Sequence, residues 1–72
     1  RAVPIGTRRM VDAVRGGGWV DAAVYSRADL QPGARLQGPA VIAEEGTSTI
    51  VPTGFVGHIN LHGEVVLEET RP

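Results

Sequence analysis

The sequence predicts an all-β domain, a small antiparallel open barrel or two-layer sandwich of about six short strands. Three observations predict it. Turn signals recur at short intervals, at Gly16-Gly17-Gly18, Gln31-Pro32-Gly33, Gln37-Gly38-Pro39, Pro52-Thr53-Gly54 and His62-Gly63. The runs between them are short and rich in Val and Ile, the residues that suit a pleated, half-buried surface. None of these runs is long enough for a helix of ordinary length.

The first strand spans Arg8 to Val14, with Met10 and Val14 bracketing Asp12 on one face and Val11 and Ala13 on the other. The triple glycine tolerates the positive φ of a tight turn. Trp19 to Tyr25 then returns as the second strand of a hairpin. Ser26 to Pro39 reads as a long connection. In it, Ser26 caps a short turn through Arg27-Ala28-Asp29-Leu30, and Leu30 and Leu36 plug onto the core. Ala40 to Glu44 is the third strand, opened by a Pro39 that need not donate to a ladder. Glu45-Gly46 turns the chain into Thr47 to Val51. Phe55 to Leu61 alternates most cleanly, with Phe55, Gly57, Ile59 and Leu61 on one face and Val56, His58 and Asn60 on the other. His62-Gly63 makes a hairpin turn, and Glu64 to Glu68 closes the sheet with Val65 and Leu67 toward the core. Residues 69–72 read as a frayed tail.

A chain of 72 residues is one small domain, residues 1–72. Domains of this size bury only about 60% of the surface their unfolded chain exposes. There are no cysteines to staple the fold and only two histidines, so neither a disulfide framework nor a structural zinc core supplements it. Such a chain leans on a partner surface, most simply the remainder of its own polypeptide. The chain starts at Arg1, and its ends read as cut. No apolar run approaches the roughly 20 residues that span a bilayer, and no signal peptide is visible, so no membrane partner and a cytoplasmic setting are expected. A net charge of −1 lacks the basic excess of a nucleic-acid footprint.

The residues capable of chemistry are few. His58 and His62 would share a face on a helix, but here they lie on strand and turn, where convergence on a metal is not required. Glu44 and Glu45 are adjacent, so a strand points them to opposite faces, the wrong geometry for paired acid and base. One of them is placed to pair with Arg27 or Arg35. The hydroxyls of Thr47, Ser48 and Thr49 after Gly46 could cradle a phosphate, yet the Lys and following helix of a phosphate-binding loop are missing. Nothing places Ser26 or Ser48 beside a histidine. The three aromatics, Trp19, Tyr25 and Phe55, read as packing residues, with an interface anchor as the reading for Trp19 or Tyr25 if exposed. No catalytic, cofactor-binding or metal-ligating residue is assigned. A loop contribution to a shared site is confined to Thr47, Ser48 and Thr49.

Four segments, in order, carry a family resemblance. Val24 to Gly33 resembles the pattern VYDR-x-x-L-x-x-G, and Gly38 to Glu44 resembles GPAIIEE. Thr47 to Gly54 resembles STTVVPPG, and Leu61 to Leu67 is similar to a closing D-x-x-G-N-L-V-L. In this order and spacing they are typical of the C-terminal end of the hydantoinase A, 5-oxoprolinase and acetone carboxylase family. The resemblance covers about Arg9 to Glu68. Ser26 stands where Asp is commoner, Ala43 where the family is often acidic or bulkier, and Glu64 where Asn usually follows the turn.

The resemblance implies a parent enzyme that opens hydantoins or 5-oxoproline, or carboxylates small ketones, at the expense of ATP. It implies ATP and a divalent metal for that parent and none in this segment. It also implies an actin-like nucleotide-binding domain upstream and a second hydantoinase-type subunit or domain as partner. On that reading the segment is a structural or interdomain-docking domain. The alternative class is a stand-alone module gripping a peptide or small ligand at a strand edge, motivated by the arginines of the first strand.

Overall fold

The computed structural model describes residues 2–12 and 16–70. Seven strands fill them: β1 (Gly6–Asp12), β2 (Gly18–Ser26), β3 (Arg35–Gln37), β4 (Ala40–Glu44), β5 (Thr47–Val51), β6 (Phe55–Ile59) and β7 (Val65–Glu69). One 3-10 turn, Arg27–Asp29, follows β2. The strands form two sheets, one of order β1-β2-β4-β5 and one of order β3-β6-β7. The architecture is therefore the two-layer sandwich, and no barrel closes among the described residues.

Most of the pairing is antiparallel, as the short connections dictate. The exception corrects the all-antiparallel expectation: β2 and β4 run parallel, with Ala23 opposite Ala40 and Tyr25 opposite Ile42. Parallel neighbours need a crossover of a dozen or more residues. Residues 27–39 supply it by passing through the other sheet. There they add β3, a strand that the sequence left inside a loop, with Leu36 opposite Gly57 of β6. Leu30 and Leu36 are both buried in the core, as their plugging role requires.

The core lies between the layers. Ala40, Ile42 and Val51 of the four-stranded sheet meet Leu36 and Ile59 of the other, and Tyr25, Phe55 and Val65 pack around them. Gly57 lies at the contact between the layers. A Cβ there would sit 3.1 Å from Val51 Cγ2 and 3.3 Å from Leu67 Cδ2, so both side chains would have to give by a few tenths of an ångström to admit it. Gly38 is tighter still: a Cβ would fall inside the Pro52 carbonyl, while the Gly38 N–H donates to the Phe55 carbonyl at 2.8 Å.

Several elements differ in detail from the sequence expectation. β1 starts at Gly6 and is described to Asp12; Ala13, Val14 and Arg15 lie outside the described residues. The glycine turn behaves as expected, with φ of +90° at Gly16 and +89° at Gly17. Ser26 precedes the 3-10 turn but makes no side-chain capping bond. β6 ends at Ile59, so Leu61 is not on its core face but stands 91% exposed in the following loop. Leu67 is half-exposed on β7. Glu69 belongs to β7, and Thr70 donates from both its amide and its hydroxyl to the Gly54 carbonyl. That part of the expected tail is held; residues 71–72 lie outside the described residues.

Candidate functional site

The β4–β5 hairpin carries the hydroxyl residues singled out from the sequence. Glu44 pairs with Thr47, leaving Glu45-Gly46 as a two-residue turn in which Gly46 takes a φ of +80°. Thr47 and Ser48 are exposed and Thr49 is half-buried. All three belong to β5, paired with Glu44, Ala43 and Ile42. Their backbones are thus strand backbone rather than an open nest of amides. The carboxylates of Glu44 and Glu45, both exposed, stand beside the turn. That surrounding repels a phosphate, so these residues do not fit the nucleotide that the resemblance implies for a parent enzyme.

The remaining titratable groups are spread apart. His58 lies on the outer face of the three-stranded sheet, its Nε2 3.7 Å from Glu68 Oε1. His62 is exposed in the β6–β7 loop. Among the described residues no group of three or more His, Asp or Glu could hold a metal ion, so the implied divalent metal finds no donor set there. Asn60 organises the loop: its Oδ1 accepts from the backbone amides of His62 and Glu64, an Asx turn, and its Nδ2 donates to Glu64 Oε1. Arg27 does not pair with Glu44 or Glu45. Its guanidinium donates to the Leu30 and Gly63 carbonyls, tying the 3-10 turn to the β6–β7 loop. Arg35 is exposed on β3, and Arg9 stands 4.0 Å from Asp21 on the surface.

Two features were not legible in the sequence. The first is Asp12, 5% exposed at the end of β1, which accepts a 2.8 Å hydrogen bond from the Thr53 hydroxyl. β1 and β5 are the outer strands of their sheet, and Thr53 lies just beyond β5. The bond therefore ties the end of β1 to the loop beyond β5, so the sheet coils toward that face at this end. Period-2 alternation places Met10, Val20, Ala22, Val41 and Ile50 on the face toward which it coils. Ala22 and Val41 are fully buried there, away from the core shared with the second sheet. Near the Asp12–Thr53 bond a groove of about 210 Å³ opens among Met10, Val20, Ile50 and Pro52.

The second feature is an exposed apolar pair on the β1–β2 hairpin, on the face opposite that groove. Trp19 is 68% exposed, which overturns its expected packing role and leaves the interface-anchor reading. Tyr25 and Phe55 do pack against the core. Val11, opposite Trp19, is 49% exposed and Ile50 is 42% exposed. No helix among the described residues is long and apolar enough to cross a membrane.

Comparison with known proteins agrees with the arrangement. Residues 2–70 match the model of the hydantoinase/oxoprolinase C-terminal domain. The acetone carboxylase beta subunit of Xanthobacter autotrophicus is 43% identical over 58 residues, which cover 81% of this chain and 8% of that subunit. An uncharacterised protein of Methanocaldococcus jannaschii is 33% identical over 51 residues, 71% of this chain and 8% of that protein. Among solved structures, nucleotide-free acetone carboxylase superposes with a TM-score of 0.81 at 41% identity, covering 92% of this chain and 9% of that one. The chain spans less than a tenth of the length of these relatives. Its whole length, fold and motif order make one assignment: the chain belongs to the hydantoinase/oxoprolinase C-terminal domain family.

Proposed function

We propose that this chain is the C-terminal docking domain of an ATP-dependent enzyme, and that it holds other parts of that enzyme in place rather than supplying reacting groups. One observation carries the reading: the 58 residues of this sandwich that match the acetone carboxylase beta subunit make up only 8% of it, while the titratable groups among the described residues are dispersed. ATP and a divalent metal act elsewhere in the parent, as the poor fit of the β4–β5 hairpin and the lack of a donor set among the described residues support. The partners are the remainder of the polypeptide and a second, hydantoinase-type subunit or domain, in the cytoplasm.

For the parent reaction, the identities of 43% and 41% to acetone carboxylase favour carboxylation of a small ketone over ring opening of hydantoin or 5-oxoproline. The assay is ATP hydrolysis by the purified parent enzyme with its partner subunit. Turnover that requires acetone and bicarbonate together supports the ketone reading. Turnover stimulated by hydantoin or 5-oxoproline, and indifferent to acetone, moves the enzyme to the amidohydrolase branch.

A further inference from the structure

We infer that the groove on the coiled face of the four-stranded sheet is the seat of an apolar segment from elsewhere in the same polypeptide. The inference rests on the docking reading above and names its surface. The groove is walled by Met10, Val20, Ile50 and Pro52, and its polar end is closed by the bond between Asp12 and Thr53. A polar ligand finds little there to bond. The volume of about 210 Å³ exceeds the roughly 150 Å³ that accommodates a benzene-sized group. It suits one or two aliphatic or aromatic side chains. Ile50, 42% exposed, carries the apolar surface out to the rim of the groove. Sheets with apolar residues on both faces are covered on both. The three-stranded sheet covers only the face that carries Ala40, Ile42 and Val51.

Area identifies the occupant. A stable interface between separate molecules takes about 800 Å² from each partner. Four part-exposed side chains, on a domain whose entire surface is 4895 Å², fall well short of it. So small a seat holds a second copy or a free subunit poorly. It holds a tethered segment well, because a linker raises the effective concentration to about the millimolar range without any added contact. Relatives of this chain carry more than nine-tenths of their length outside the matched region, enough to supply the segment.

The test is photo-crosslinking in the full-length polypeptide. A benzophenone amino acid replaces Ile50 in one variant and Met10 in a second, with exposed Leu61 of the β6–β7 loop as reference, and adducts are mapped by mass spectrometry. Mixing isotopically heavy and light copies separates bonds within one chain from bonds between copies. The inference expects adducts from positions 50 and 10 to an apolar segment outside residues 1–72 of the same chain, in at least fivefold higher yield than from position 61. Heavy–light adducts, or adducts to another subunit, overturn it. Adducts to the same chain from position 61 alone overturn the groove and leave the docking domain standing. If no position reaches beyond residues 1–72, the docking reading falls as well.

Discussion

Gly38 has no room for a side chain, and this is the most local constraint in the fold. The residue lies where the crossover leaves β3 and enters β4, with its amide on the Phe55 carbonyl and its Cα against the Pro52 carbonyl. The obstacle is backbone on a neighbouring loop, which cannot swing aside as a flexible side chain would. Gly38→Ala is expected to cost about 3 kcal/mol or more, at the upper end of overpacking penalties. The readout is the midpoint of urea unfolding, with Gly6→Ala, where a Cβ meets nothing within 4 Å, as the control. The turn at Gln37-Gly38-Pro39 was visible in the sequence, but the reason for its glycine was not. Positive φ is the usual reason, whereas Gly38 is excluded from a side chain by a carbonyl 14 positions along the chain. Arg27 teaches the same lesson. Sequence reading offers a basic residue an acidic partner, here Glu44 or Glu45, because carboxylates can be seen in a sequence and free carbonyls cannot. The structure gives its guanidinium to two backbone oxygens instead.

Among the elements, those with several alternating residues were readable and those without were not. Phe55–Ile59 and Thr47–Val51 announce themselves by period and β-branching. β3 has three residues and a single apolar one, Leu36, so no alternation exists to detect. Missing it also hides the parallel pairing of β2 with β4, because only a crossover through the second sheet reverses the return direction. The coil of the four-stranded sheet was equally hidden, since it depends on Asp12 and Thr53 meeting from 41 residues apart. Their bond predicts a local effect. Thr53→Val removes the hydroxyl and leaves a buried carboxylate with one fewer partner, which is expected to cost roughly 1–3 kcal/mol. The penalty belongs to the β1 edge. Hydrogen exchange of β1 amides paired with β2 is expected to speed up, while that of the β6–β7 pair is unchanged. Equal acceleration in both sheets would show instead that Asp12 and Thr53 support the whole sandwich.

At the scale of the molecule, the all-β class follows from punctuation alone, and the family follows from four motifs in register. A chemical site does not follow, because the hydroxyls, carboxylates and imidazoles are dispersed over opposite faces and separate loops. This dispersion sharpens the question of the β4–β5 hairpin, where Thr47, Ser48 and Thr49 present the densest hydroxyl run in the chain. If the domain only docks, replacing all three by Ala in the parent enzyme removes no group that touches a substrate. The exposed Thr47 and Ser48 lose little, and Thr49, half-buried opposite Ile42, gives up β-propensity of under about 1 kcal/mol. The expected outcome is a kcat within about twofold of the unaltered enzyme and an unchanged elution volume for the assembled complex. If the hairpin instead reaches into a shared site and steadies charge as a transition state forms, loss of its donors lowers kcat by about a hundredfold or more. Measuring kcat and assembly together separates these cases. A large fall in kcat with assembly intact assigns the hairpin to catalysis, and a fall that tracks loss of the complex returns it to docking.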